Sequence, residues 1–200
     1  REGDLIARLG LPERMWTRIG LSTVDQSAPY FKVDGYWNGA VWMPYQWIVW
    51  RALLDQGRGD LAHRIGRTAL DVWKAEVDAT YNCFEHFIVQ SGRGAGWHHF
   101  GGLSAPVLSW FGAYHRPGRL TTGFDAWVAR HAFGDGNRAL AAELHGRPRL
   151  VLAAMAPGPA YRATWNGAPV ALRELYPGVL EVTLPAESGS GWLTVTASNA

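Results

Sequence analysis

One cysteine in 200 residues, Cys83, excludes an intrachain disulfide and any metal site of the Cys-x-x-Cys kind. It leaves the compartment open, soluble cytoplasmic or secreted, because secreted proteins without disulfides exist. Runs of Lys or Arg are absent and the formal charge is only +2, so the chain offers no track for a phosphate backbone and nucleic acid is not an expected partner. Long apolar stretches are missing too. The opening REGDLIARLGLPERMW is charged throughout and reads as an internal helix, with neither a signal peptide nor a membrane span in it. Two adjacent histidines, His98 and His99, have no further His, Cys or acid at ligand spacing, so neither a metal nor a cofactor is expected.

What the chain does have is tryptophan, eleven of them, within an otherwise ordinary core-forming composition. Two readings compete for these rings. They pack a core, or they present flat apolar faces to a ligand such as a sugar, whose C–H groups stack on indole while its hydroxyls seek Asp, Glu, Asn, Gln and His. Trp37, Trp42, Trp47, Trp50 and Trp97 cluster near glycine-rich turns, which favours the second reading for some of them.

Periodicity divides the chain. Up to about residue 130 the apolar positions recur at three and four, and from about 148 they follow short runs punctuated by turns. The spacing predicts a helix over 42–56 that ends near Gly57, a second over 60–77 opened by Asp60, and a third over 103–114 with Pro106 in its first turn. Strands are expected over 150–155, 161–165, 169–175, 178–184 and 191–197, with Asn166-Gly167 as a type I′ hairpin turn. Glu174, Glu181 and Glu187 alternate with apolar residues there and read as solvated strand faces. Between the helical segments, residues 78–102 form a long glycine-rich and aromatic loop, the kind that is functional when it is ordered.

That loop contains Glu85, a single carboxylate among aromatic residues. The runs GLSTVDQSAPYF (20–31), YWNGAVWMPYQW (36–47), FEHF (84–87) and WHHFGGLSAPVL (97–108) together resemble the final third of the (α/α)6-barrel glycoside hydrolases of the family 63 and trehalase group, which includes bacterial mannosylglycerate hydrolase-like enzymes. The resemblance implies a mainly α chain with a C-terminal β domain: a partial (α/α)6 toroid made of the last helical hairpins, followed by a small antiparallel β-sandwich. Residues 1–135 would be the C-terminal portion of the catalytic domain and residues 136–200 an accessory domain. The missing N-terminal barrel portion of the same enzyme is then a partner, and an oligosaccharide or glycoside is the substrate.

It also implies inverting hydrolysis of an α-linked glucoside or mannoside with Glu85 as general base. Inverting enzymes set two carboxyl groups roughly 6.5 to 9.5 Å apart, one to protonate the leaving oxygen and one to deprotonate water. The acid has no counterpart among these residues, so the segment alone is expected to be inactive. Asp34, Trp37, Asn38, Trp42, Gln46, Trp97, His98 and His99 are the substrate-binding candidates, with Tyr81, Asn82 and Arg93 as parts of a lid. Asn38 stands where family members carry Arg, which removes a bidentate cation from that subsite. An alternative is a non-catalytic carbohydrate-binding or structural module derived from such an enzyme. Another is an enzyme of similar fold but different reaction, a phosphorylase or a lyase.

Overall fold

The computed structural model describes residues 2–198 and separates into two compact units. One takes the residues up to Trp50 together with His63–Ser109, and the other takes Arg51–Ala62 with the chain from Trp110 onward.

Helix α1 (Glu2–Leu9) leads through the two-residue strands β1 (Trp16–Thr17) and β2 (Gly20–Leu21) to helix α2 (Met43–Asp55). Helix α2 ends as its sequence requires: Gly57 takes a left-handed φ of +66°, and the N–H groups of Gly57 and Arg58 donate to the carbonyls of Leu54 and Leu53. Helix α3 (Gly59–Thr80) follows, with Leu61, Ala62, Ile65 and Ala69 buried along one stripe. The segment expected to be a loop holds the hairpin β3 (Phe84–Phe87) and β4 (Gly94–His98). The third expected helix is split at Ala105 into the single turn α4 (Gly101–Ser104) and α5 (Pro106–His115).

The second unit is dominated by one antiparallel eight-stranded sheet. It comprises β5 (Arg119–Thr121), β6 (Ala126–Gly134), β7 (Ala139–Gly146), β8 (Leu150–Ala154), β9 (Tyr161–Trp165), β10 (Ala168–Tyr176), β11 (Val179–Thr183) and β12 (Gly191–Ala197), in the order β5-β8-β11-β10-β9-β12-β7-β6. Asn166 and Gly167 make the β9–β10 turn with φ of +50° and +84°, as a type I′ hairpin demands. Strand β10 pairs with β9 through Ala168–Val170 and with β11 through Ala171–Tyr176. The sheet curls over this strand, because Leu140, Leu144, Leu193 and Val195 from one end share a core with Val151, Ala153, Leu180 and Val182 from the other. Each large apolar side chain there contributes roughly 1.5–3 kcal/mol by leaving water.

This architecture corrects the expected fold class. The chain is predominantly β, with few helices and a curled eight-stranded sheet; it is not a mainly α chain, and no (α/α)6 toroid is present among the described residues. The five-strand sandwich is replaced by that single sheet. The cause lies in residues 119–146, where β7 is ALAAELHG. Alanine, leucine and glutamate are good helix formers, and they mask a burial alternation in which Leu140, Ala142 and Leu144 face the core.

Candidate active site

The site lies in the first unit and is built on the β3–β4 hairpin. Val41 and Phe87 exchange backbone hydrogen bonds, both 2.9 Å, which lay the segment 36–42 beside β3. The preceding loop doubles back closely: the Lys32 N–H donates to the Asn38 carbonyl at 2.9 Å, and a Cβ on Gly39 would overlap the Lys32 carbonyl oxygen. Between the Phe84–His98 and His86–Ala95 pairs one residue of β3, Glu85, faces two of β4, Gly96 and Trp97, so the extra residue of this bulge lies on β4 opposite the acid. Across from it Gly96 has φ of +78°, and a Cβ there would collide with the Glu85 carboxylate and stand 2.9 Å from its Cβ. Glycine at 96 gives the carboxylate its place.

Both oxygens of Glu85 are held. The Tyr36 hydroxyl donates to Oε1 and the Trp97 backbone N–H donates to Oε2 at 3.2 Å. The hydrogen bond from Tyr36 is the main reason the carboxyl is held below its ordinary pKa; partial burial opposes this, and the Trp97 N–H and nearby His86 add to the lowering. Tyr36 is pushed up correspondingly, first by that hydrogen bond to an anion. The result is an ionised acid held by neutral donors, with further lone pairs on each oxygen for a water molecule.

Around it stands a stack of rings. Trp37 lies on Trp42 at 3.8 Å between centroids and 8° between planes, and Trp42 lies in turn on His86 at 5.0 Å and 19°. Tyr36 sets its edge or face against all three, at 5.9, 4.9 and 5.0 Å. Trp42 is buried, whereas Trp37 is 58% exposed and presents its outer surface to solvent. Trp97, 71% exposed, stands on β4 next to the N–H that holds Glu85. Exposed indoles beside a fixed carboxylate are the arrangement that sugar stacking uses.

The expected site residues divide into three groups. Glu85, Trp37, Trp42 and Trp97 are brought together as described. His98 and His99 extend from the end of β4, both exposed, their rings 5.1 Å apart, and the His99 N–H donates to Asn82 Oδ1 at 2.9 Å. Asn38, Gln46 and Asp34 serve or occupy the scaffold. Asn38 Nδ2 donates to the Tyr30 carbonyl at 2.9 Å. Gln46 is buried with both ends of its amide committed to the backbone of Leu21, accepting at 2.9 Å and donating at 2.8 Å. Asp34 is exposed in the turn before Gly35. Arg93, expected in a lid, instead binds Glu76 through Nε at 2.8 Å and Nη2 at 3.0 Å, and Gly94 N–H donates to the same carboxylate at 2.9 Å. Tyr36 and His86 carry roles that sequence reasoning did not assign. His86 is buried, its pKa lowered first by desolvation, and its Nδ1 has no partner among the described residues.

Among the described residues no group of three or more His, Cys, Asp or Glu is placed to hold a metal ion, and no helix is long and apolar enough to cross a membrane.

A family model described as the mannosylglycerate hydrolase MGH1-like glycoside hydrolase domain matches residues 2–101, half of the chain. The chain belongs to this family. Every residue of the site above falls within the matched span of the MGH1-like domain. Similar proteins include mannosylglycerate hydrolase MGH2 of Selaginella moellendorffii, 32% identical over 91 residues that make up 46% of this chain and 18% of that protein. A mannosylglycerate hydrolase of Thermus thermophilus is 31% identical over 93 residues, 46% of this chain and 21% of its own. The chain therefore spans about a fifth of the length of these curated relatives. Among solved structures, a family 63 mannosylglycerate hydrolase of Thermus thermophilus, in complex with Tris and D-glycerate, is 28% identical with a TM-score of 0.46, over 55% of this chain and 24% of that one.

Proposed function

We propose that this MGH1-like segment supplies the general base of an inverting glycoside hydrolase acting on an α-linked glucoside or mannoside. Glu85 takes a proton from a water molecule as that water attacks the anomeric carbon. The leaving oxygen departs from the opposite face of the ring, protonated by a second carboxyl group. The observation that carries this reading is the environment of Glu85: ionised, set opposite the bulge of β4, and held by neutral donors, so its charge remains available to a water molecule. Trp37 and Trp97 are the stacking surfaces for the sugar. Relatives named as mannosylglycerate hydrolases make a mannoside with an acidic aglycone the first substrate to try.

The acid of the pair belongs, in this reading, to the remainder of the enzyme. Asp25 is unsuited to the role, because hydrogen bonds from the Ser27 N–H and hydroxyl hold its carboxyl below its ordinary pKa, and a general acid must keep its proton. Residues up to 135 form part of the catalytic portion and those from 136 an accessory region, although the sheet draws strands from both sides of that position. Exposed Trp37 and Trp97 also suit a second reading, a sugar-binding module without turnover.

The two readings separate on the product. Proton NMR of the first product released from an α-mannoside by the intact enzyme is expected to show the β-anomer. A first-formed α-anomer would reject inversion, and binding without any product would favour the module.

A further inference from the structure

The sheet of the second unit has an outward face with no part in the reaction above. On β7, Leu140, Ala142 and Leu144 enter the core, so Glu143 and His145 point out. Across one ladder Trp127 of β6 stands opposite His145 and Arg130 opposite Glu143; across the other, Trp192 of β12 stands opposite Glu143. Both indoles are large exposed apolar groups, Trp127 at 58% and Trp192 at 43%. With strands ~4.8 Å apart and ~3.3 Å of rise per residue, the two residues lie diagonally across β7 at roughly 12 Å. That is the span of a short oligosaccharide and exceeds that of one ring.

The polar groups between them are fixed in place. The Arg130 guanidinium donates to Glu143 at 2.5 Å and His145 Nε2 lies 3.0 Å from the other Glu143 oxygen; beyond Trp192, the Thr194 and Thr164 hydroxyls of β12 and β9 are 2.7 Å apart. The carboxylate and guanidinium compensate each other, so the face suits a neutral, hydroxyl-rich ligand better than an ionic one. Arg130 also lies 5.2 Å over the Trp192 ring, while Trp127 meets the tilted His145 ring at 5.7 Å and stays the more exposed of the two indoles. Although β6 is an edge strand, the shift between Val128 and Arg130 and the charge on Arg130 disfavour pairing with the edge of another copy.

We propose that the outward face of β6, β7 and β12 binds a neutral oligosaccharide, with Trp127 as the stacking platform and the Arg130–Glu143 pair as the hydroxyl-reading group. This face lies outside the span matched by the family model and does not depend on Glu85. The test is native affinity electrophoresis of the whole protein in gels containing amylose, dextran or α-mannan. Migration is expected to be retarded in at least one gel. Trp127→Ala should weaken that retardation tenfold or more, Glu143→Gln several-fold, and Trp127→Phe should keep most of it, with circular dichroism melts confirming that each variant is folded. Absence of retardation in all three gels, or equal retardation of folded Trp127→Ala, overturns the proposal. Loss of retardation on Trp37→Ala alone overturns it too, while leaving the catalytic reading standing. A concentration-dependent dimer abolished by Trp127→Ala would instead assign the face to self-association, and the proposal would fall.

Discussion

Two carboxylates sit beside the same hairpin, and their surroundings differ. Glu76, near the end of α3, is buried and gripped by the Arg93 guanidinium, the Gly94 N–H and the Thr80 hydroxyl. Its pKa is lowered chiefly by the hydrogen bond from Arg93. Glu85 is also held in the ionised form, but by a tyrosine hydroxyl and a backbone N–H, at the foot of a ring stack that reaches solvent. A charge neutralised by a fixed cation serves the fold. A charge stabilised by neutral donors keeps its field, and a substrate or water can still use it.

Removing the structural acid Glu76 has the largest expected effect on stability. Glu76→Gln is expected to destabilise the protein by about 2 kcal/mol at neutral pH, read by urea unfolding, because the exposed Arg93 keeps the cost below that of breaking a fully buried pair. The pH dependence follows from the lowered pKa of Glu76. Its contribution is fully present above the ordinary carboxyl value of 4.5 and is lost as pH falls through its folded value, so the gap between wild type and Glu76→Gln should close in acid. A gap that widened in acid would break the assignment of Glu76 as the paired, structural acid.

A smaller effect is expected from Tyr36→Phe in the intact enzyme. It removes one of the two hydrogen bonds that hold the carboxylate, so turnover should fall several-fold. The carboxyl of Glu85 should then rise toward its ordinary value, moving the acid limb of the pH–rate profile to higher pH, and the shift should be absent in Glu76→Gln. Smallest is Trp37→Ala, which exposes the buried Trp42 ring and removes a stacking surface. The affinity for substrate should weaken about threefold, from roughly 0.5–1 kcal/mol, with little change in kcat. An equal loss in kcat would move Trp37 from stacking surface to scaffold of Glu85.

How much of this is legible in the sequence depends on distance along the chain. Gly57 as a helix stop and Asn166-Gly167 as a hairpin turn are local requirements on φ, readable from single residues. Glu85 is readable because its glycine partner Gly96 and two of its ring neighbours, His86 and Trp97, fall within the stretch 81–102. The partnership of Tyr36 with Glu85 spans 49 positions, and that of Gln46 with Leu21 spans 25; neither leaves a periodic trace. Gln46 carries a side chain suited to a sugar hydroxyl, yet its amide is spent on a backbone strand. Strand β7 is hidden by helix-favouring alanines, and with it the curled sheet that replaces the expected toroid. His86 has no signal of its own beside the acid that precedes it, and only the ring stack shows what it supports.

The proposed division of roles makes Glu85, and not Glu76, the acid that does chemistry. It is tested most directly by comparing Glu85→Gln and Glu76→Gln in the intact enzyme on one α-mannoside, measuring turnover and sugar affinity together. Turnover should drop roughly 10²- to 10⁴-fold in Glu85→Gln with affinity retained, and should stay near wild type in folded Glu76→Gln. Unchanged turnover in Glu85→Gln would contradict the account.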